Sequence, residues 1–153
     1  MKKEINKFLL SFEKLDKDDM QTILEIENNQ GIKILSKNSI LSELNSTSSF
    51  YFITKYDEEI VGYINYYLSI DTIDLNSIVV KKEFQNLGIA TFMLNNLIQI
   101  AKENNIKNIM LEVRKSNIKA KNLYNKFNFI HIHTRKNYYN DLEDAEIFKL
   151  NIK

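Results

Sequence analysis

The 153-residue chain has no cysteine, no proline and no tryptophan, and only three glycines. Without cysteine there is no disulfide framework, no thiolate nucleophile and no cysteine-ligated metal. Charge of one sign is also missing in excess, since 21 Lys and Arg stand against 20 Asp and Glu for a formal net charge of +1. Non-specific binding to nucleic acid or to an anionic membrane needs a strong basic excess, so neither partner is expected. Nowhere do ~18 apolar residues run unbroken, which argues against a spanning helix. The apolar part of MKKEINKFLL is too short for a secretory signal, and a cytoplasmic location is the expectation. What is present, 44% apolar and 27% charged residues, suits one core, and a single domain is expected over residues 2–153.

With so few glycines, each position is informative. Gly31 lies in a polar stretch, Gly62 lies inside a strand pattern where it allows a bulge or a close backbone approach, and Gly88 stands between a strand and a helix. Periodicity predicts a strand over residues 5–14, a helix over 16–28 with Asp16 as N-cap, and a short helix over 38–44. Strands are expected at 50–56, 60–68 and 72–80, then a long helix at 89–104 closed by Asn104 and Asn105. Its polar side is expected to carry Asn95, Asn96, Gln99 and Lys102. A strand at 107–114, a helix at 117–127 and strands at 129–134 and 146–152 complete the chain. The sum is an α+β fold, a mixed sheet of about seven strands flanked by about four helices, with a right-handed crossover that sets the strands at 72–80 and 107–114 parallel.

The turn from Gln85 through Asn86, Leu87, Gly88, Ile89 and Ala90 to Thr91 joins the apolar run Ile78, Val79, Val80 to the long helix. Helix N–H groups without partners and the positive end of the macrodipole make such a turn fit for a phosphate, although an ordinary turn that uses Gly88 for its dihedral angles reads the same way. It lacks the G-K-[ST] of a Walker loop and the three glycines of a dinucleotide fingerprint. Glu112 sits midway along an otherwise apolar strand, either ion-paired on a half-open face, with Arg114 as the expected partner, or in a cleft as a general base. Tyr124 falls on the apolar stripe of its helix with Asn117 seven residues earlier, as a core aromatic or as a group facing a groove. His131 and His133, one strand period apart, would face one side and invite a metal, but no third ligand is evident and no metal is expected. Tyr138 and Tyr139 form an aromatic pair in the last loop.

Taken together, Val80 followed by Gln-x-x-Gly-x-Ala, then Leu111-Glu112-Val113-Arg114-x-Ser116-Asn117, then Ala120-x-x-Leu123-Tyr124-x-x-x-x-Phe129, resemble the GNAT superfamily of N-acetyltransferases. The resemblance is closest to the RimI-type ribosomal-protein alanine N-acetyltransferases, which also have counterparts of Arg135-x-Asn137-Tyr138-Tyr139 and Asp144-Ala145. It implies acetyl-CoA as co-substrate. The pyrophosphate would lie on backbone N–H groups from Asn86 to Thr91 next to Gln85, the pantetheine arm beside Ile78, Val79 and Val80, with Asn117 touching the arm. It further implies Glu112 as the base that deprotonates the incoming ammonium, Tyr124 as the acid that protonates the departing thiolate, and Tyr138 and Tyr139 as holders of the acceptor backbone. The acceptor so implied is the N-terminal α-amine of a protein, most simply a ribosomal one.

The chain departs from the family in three places. Asn128 stands where the family has glycine, Ala90 replaces the second motif glycine, and Ile34, Leu35 and Ser36 replace a Phe-Pro-Trp-Ser element of the acceptor pocket. The donor side therefore matches the family more closely than the acceptor side. Transfer to a small-molecule amine such as a polyamine, and a non-catalytic CoA-binding module, are the rival readings of the same residues.

Overall fold

The computed structural model describes residues 2–5, 8–29, 41–42 and 45–153. Gly31, Ile34, Leu35 and Ser36 lie outside the described residues, as does the expected helix at 38–44 apart from Leu41 and Ser42, which are helical. By its internal packing the chain divides into two units, Met1–Tyr67 with Ser77–Leu97 and Leu68–Asn76 with Ile98–Lys153.

The first unit opens with β1 (Lys2–Ile5) and β2 (Phe8–Lys14), antiparallel from Lys2 opposite Ser11 to Ile5 opposite Phe8. The expected single strand at 5–14 is thus a hairpin. Its first arm, Lys-Lys-Glu-Ile, has no apolar alternation to announce it and is a strand because β2 offers an edge. Asp16 accepts from the Asp18 N–H at 3.2 Å while Asp19 Oδ2 accepts from the Asp16 N–H at 3.3 Å. This reciprocal cap begins a 3-10 turn, Lys17–Asp19, that leads straight into α1 (Met20–Asn29). Met20, Ile23 and Ile26 pack with Leu15, Tyr51, Ile53, Tyr63 and Val79. Glu27 is buried beside them and accepts from Tyr63 Oη at 2.5 Å. Burial, and then that carboxylate, push the Tyr63 hydroxyl far above its ordinary value.

β3 (Ser49–Tyr56) pairs with β2 and with β4 (Glu59–Leu68), both antiparallel, and Asp57 turns the β3–β4 hairpin with φ 55°. Between Thr54 opposite Gly62 and Lys55 opposite Ile60 the register shifts, so Val61 is the extra residue of a β-bulge. The Val61 carbonyl accepts from the Lys81 N–H at 2.7 Å. A Cβ on Gly62 would stand 2.5 Å from the Val79 carbonyl oxygen. Bulge and close approach, the two uses foreseen for Gly62, therefore occur together. α2 (Ile89–Glu103) buries Phe92, Met93, Leu94 and Leu97. Asn96 departs from expectation, being buried with its side-chain amide donating to the Phe92 carbonyl at 2.8 Å; satisfying the amide within the helix is what permits its burial.

In the second unit α2 ends with Asn105 left-handed at φ 56° and the Ile106 N–H on the Ala101 carbonyl at 2.9 Å. β5 (Thr72–Val80) runs parallel to β6 (Asn108–Arg114) through Thr72–Leu75 and Asn108–Leu111, as the crossover requires. α3 (Ile118–Lys126) follows, then β7 (Ile130–Arg135) and β8 (Ala145–Asn151). β8 pairs antiparallel with β6 along all of β6 and carries β7 on its other edge. Strand order is β1-β2-β3-β4-β5 in the first unit and β5-β6-β8-β7 in the second. β1 is the strand beyond the expected seven, and besides helical Leu41 and Ser42 three α-helices stand among the described residues. None of them is long and apolar enough to cross a membrane.

Gly62→Ala drives a side-chain atom into a backbone oxygen that cannot swing away. It is expected to lower stability by about 1–3 kcal/mol, the usual cost of overpacking, read as a lower urea midpoint with an unchanged slope.

Candidate active site

In the first unit β5 gives way at Lys81 to a 3-10 turn, Lys82–Phe84. Asn86 at φ 63° and Gly88 at φ 82° then coil the backbone into the start of α2. The helical ladder begins with the Phe92 N–H on the Gly88 carbonyl at 3.0 Å. The N–H groups of Ile89, Ala90 and Thr91 therefore have no acceptor within the helix and lie at its positive end. Asn86, Leu87 and Gly88 are exposed, and a Cβ at Gly88 would meet nothing within 4 Å. Gly88 is there for its conformation, Gly62 for its lack of bulk. Gln85 turns its side chain inward, donating to the Val80 carbonyl at 3.1 Å. Val79 and Val80 are buried and Ile78 half-buried. This is an arrangement that holds an anion by main-chain donors.

In the second unit alternation along β6 buries Ile109, Leu111 and Val113 and turns Met110, Glu112 and Arg114 to the other face. The expected partner of Glu112 was Arg114, but the ion pair is made by Arg135, whose Nη1 donates to Glu112 Oε1 at 2.8 Å. A register shift in β7 explains it. His131 lies opposite Phe148 and His133 opposite Ile147, so Ile132 is a bulged residue and everything after it changes phase. Arg135 thereby comes opposite Ala145, on the Glu112 face. The two histidines are corrected by the same shift: they oppose successive residues of β8 and so do not face one side. His131 lies edge-on to Phe148 and bonds Thr134 Oγ1 at 2.9 Å.

Arg114 has other work. Its guanidinium donates to both oxygens of Asp141, at 3.1 and 3.0 Å, and to Glu143 Oε2 at 3.1 Å, and covers the Tyr139 ring at 4.0 Å. The Ser116 N–H donates to Glu143 Oε1 at 2.8 Å, joined by its hydroxyl. The Asn137 N–H, at φ 52°, donates to Asp144 Oδ1 at 3.0 Å. Bonds to Ser116, then the Arg114 charge, hold the Glu143 carboxyl below its ordinary value; the Glu143 N–H and Arg114 do the same for Asp141. The loop so fastened presents Tyr138 and Tyr139 edge-on, ring centroids 5.2 Å apart, with the Arg135 guanidinium 5.5 Å from the Tyr138 ring. Burial, and then the Glu112 charge, raise the Tyr139 hydroxyl pKa. Glu112, Tyr138 and Tyr139 are thus brought together.

Tyr124 is on the opposite face of β6. Lys121 of its helix reaches Glu146 at 3.2 Å, and Glu146 opposes Val113, not Glu112. Tyr124 is 6% exposed beside Phe129, and burial pushes its hydroxyl up to about 12. Asn117 caps α3, its Oδ1 accepting from the Ala120 N–H at 3.1 Å. Asn128 ends it at φ 66°, as its replacement of a glycine requires.

The profile of the acetyltransferase (GNAT) family matches residues 12–129. The chain belongs to that family. It is 32% identical over 129 residues to the ribosomal protein bS18-alanine N-acetyltransferase of Haemophilus ducreyi, covering 83% of this chain and 87% of that one. An N-alpha-acetyltransferase of Sulfurisphaera tokodaii is 32% identical over 118 residues, 69% and 71% of the two chains. Among solved structures, the ribosomal-protein-S18-alanine N-acetyltransferase from Escherichia coli superposes with a TM-score of 0.86 at 25% identity over 94% of both chains.

In this GNAT enzyme the carboxylate of Glu112 was legible from its place in an apolar strand, but its partner was not, because the partner arrives through a bulge 20-odd residues on. Arg114, Asp141 and Glu143 were missed as a group; alternating charge around an aromatic pair was the available signal. Arg114→Lys keeps the charge and loses the fork. Amide exchange at Ser116, Tyr139 and Leu142 is expected to quicken by about tenfold with little change in melting temperature, and unchanged exchange would show that the loop is held by other means.

Proposed function

We propose that this GNAT enzyme transfers the acetyl group of acetyl-CoA to the N-terminal α-amine of a protein, with a ribosomal protein as the leading acceptor. The observation that carries the reading is the meeting of Glu112 with the fastened Tyr138–Tyr139 pair on one face of the second unit. A carboxylate beside a rigid aromatic clamp suits a peptide terminus, whose backbone must be held still while one amine reacts. The activities named for the Haemophilus ducreyi and Sulfurisphaera tokodaii relatives support the same class of acceptor.

The residues present fit the co-substrate. In the first unit the N–H groups from Asn86 to Thr91 would hold the diphosphate, with Gln85 fixing the turn and Ile78, Val79 and Val80 lying along the pantetheine. In the second unit the Asn117 amide, whose oxygen is engaged in the cap, keeps N–H donors for the arm. Acetyl-CoA supplies an activated acyl group, so the protein needs no covalent nucleophile. Glu112, through a water, takes the proton of the ammonium. The nitrogen lone pair would then form the C–N bond while the C–S bond breaks with its electron pair left on sulfur; the nitrogen would lose its second proton through water to become the amide, Tyr124 Oη would give the sulfur a proton, and the phenolate would recover one from solvent. Tyr124 suits the last step because burial keeps it protonated throughout the working range.

Glu112→Gln is expected to lose ~10²–10⁴ in kcat, with partial recovery as rising pH deprotonates the amine unaided. Tyr124→Phe is expected to lose rate without that recovery. The wild-type rate should show no alkaline decline from Tyr124 at pH 10, since burial pushes its hydroxyl up to about 12. A Glu112→Gln enzyme fully active at neutral pH would remove Glu112 from the mechanism.

A further inference from the structure

β5 borders the Glu112 strand, and its Asp74 lies opposite Met110 in the parallel register. Residues two apart on a strand share a face, so Asp74 stands on the side of Met110, Glu112 and Arg114, one diagonal step from Glu112. Every other carboxylate of the second unit has an ion-pair or hydrogen-bond partner. Asp74 has none among the described residues. We infer that Asp74 is a second acceptor-facing carboxylate, taking the positive charge of the incoming α-ammonium while Glu112 takes its proton. The inference rests on the acetyl-transfer reading above and adds to it a residue that decides how the amine is held.

Charge supports the assignment. Glu112 already shares one oxygen with Arg135 at 2.8 Å, so part of its attraction for a cation is spent. Desolvation, and then the Glu112 charge, raise the Asp74 carboxyl above its ordinary value, a strain that a cation beside the pair relieves. The other charged and titratable groups of this face are Arg114 on β6, Lys149 on β8 opposite Met110, His133 and Arg135 on β7, and Tyr139 in the loop. Arg114 and Arg135 are engaged with Asp141, Glu143 and Glu112, and Met110 stands between Lys149 and Asp74 in the strand order. None is positioned to neutralise Asp74.

The test is steady-state kinetics of acetyl transfer to a peptide with a free N-terminus, with wild type, Asp74→Asn and Asp74→Glu. At about pH 7, where an α-amine of ordinary pKa ~7.7–8.0 is mostly ammonium, Asp74→Asn should raise the peptide KM about tenfold, ~1.4 kcal/mol, with kcat and the KM for acetyl-CoA nearly unchanged. Asp74→Glu, which keeps the charge, should restore most of the affinity. At about pH 9.5 the amine is neutral and the penalty of Asp74→Asn should largely vanish. An unchanged KM, a penalty equal at both pH values, or a loss confined to kcat would overturn the role of Asp74 while leaving the acetyltransferase reading intact. A wild type inactive on every peptide would overturn both.

Discussion

The pairing of β6 with β8 over the whole of β6 is the constraint on which the candidate site depends. It sets Leu111 opposite Phe148 and Glu112 opposite Ile147, which puts one residue in the core and the next on the working face. A slip by one residue would exchange the faces, burying Glu112 and Arg114 and exposing Leu111 and Val113. The apolar residues of the strand thus hold the polar ones in position. Arg114 then secures the loop that carries Tyr138 and Tyr139, and the bulge at Ile132 gives Arg135 the phase that brings it to Glu112. Lys121 of α3 meets Glu146, which opposes Val113, so α3 packs on the side of the apolar residues of β6.

Asparagine does in this chain much of what glycine does elsewhere. Asn86, Asn105, Asn128 and Asn137 all have positive φ, between 52° and 66°. They turn the phosphate-type loop, end two helices and start the aromatic loop. Asparagine pays less for the left-handed region than other residues with a Cβ, so a chain with three glycines still makes these turns. Glycine is kept at Gly62, where a Cβ would collide, and at Gly88, where the backbone must curve at an exposed helix start.

Most elements were legible because their periodicity is local. The strand at Thr72–Val80 was read with the bounds observed, and α2, β6 and α3 differ from expectation by a residue at their ends. The turn from Gln85 to Thr91 could be placed because an apolar strand and a long amphipathic helix flank it. Features set by distant partners were not legible. β1 exists through its pairing with β2, the histidines are parted by a bulge that no pattern marks, and Asn96 is buried because its own helix satisfies it. The same holds within the site: Glu112 could be found from its strand, whereas Arg135 and Asp74 reach it only through the register of neighbouring strands.

The central claim, acetyl transfer to a protein α-amine, is tested most directly by mass spectrometry of acceptors offered together with acetyl-CoA. The set is a peptide with a free N-terminal alanine, the same peptide blocked at its N-terminus but carrying a lysine, and spermidine. The account predicts acetylation of the free α-amine, with the blocked peptide and spermidine left unmodified. Acetylated spermidine with untouched peptides would contradict it and give the fastened aromatic face a small-molecule acceptor instead.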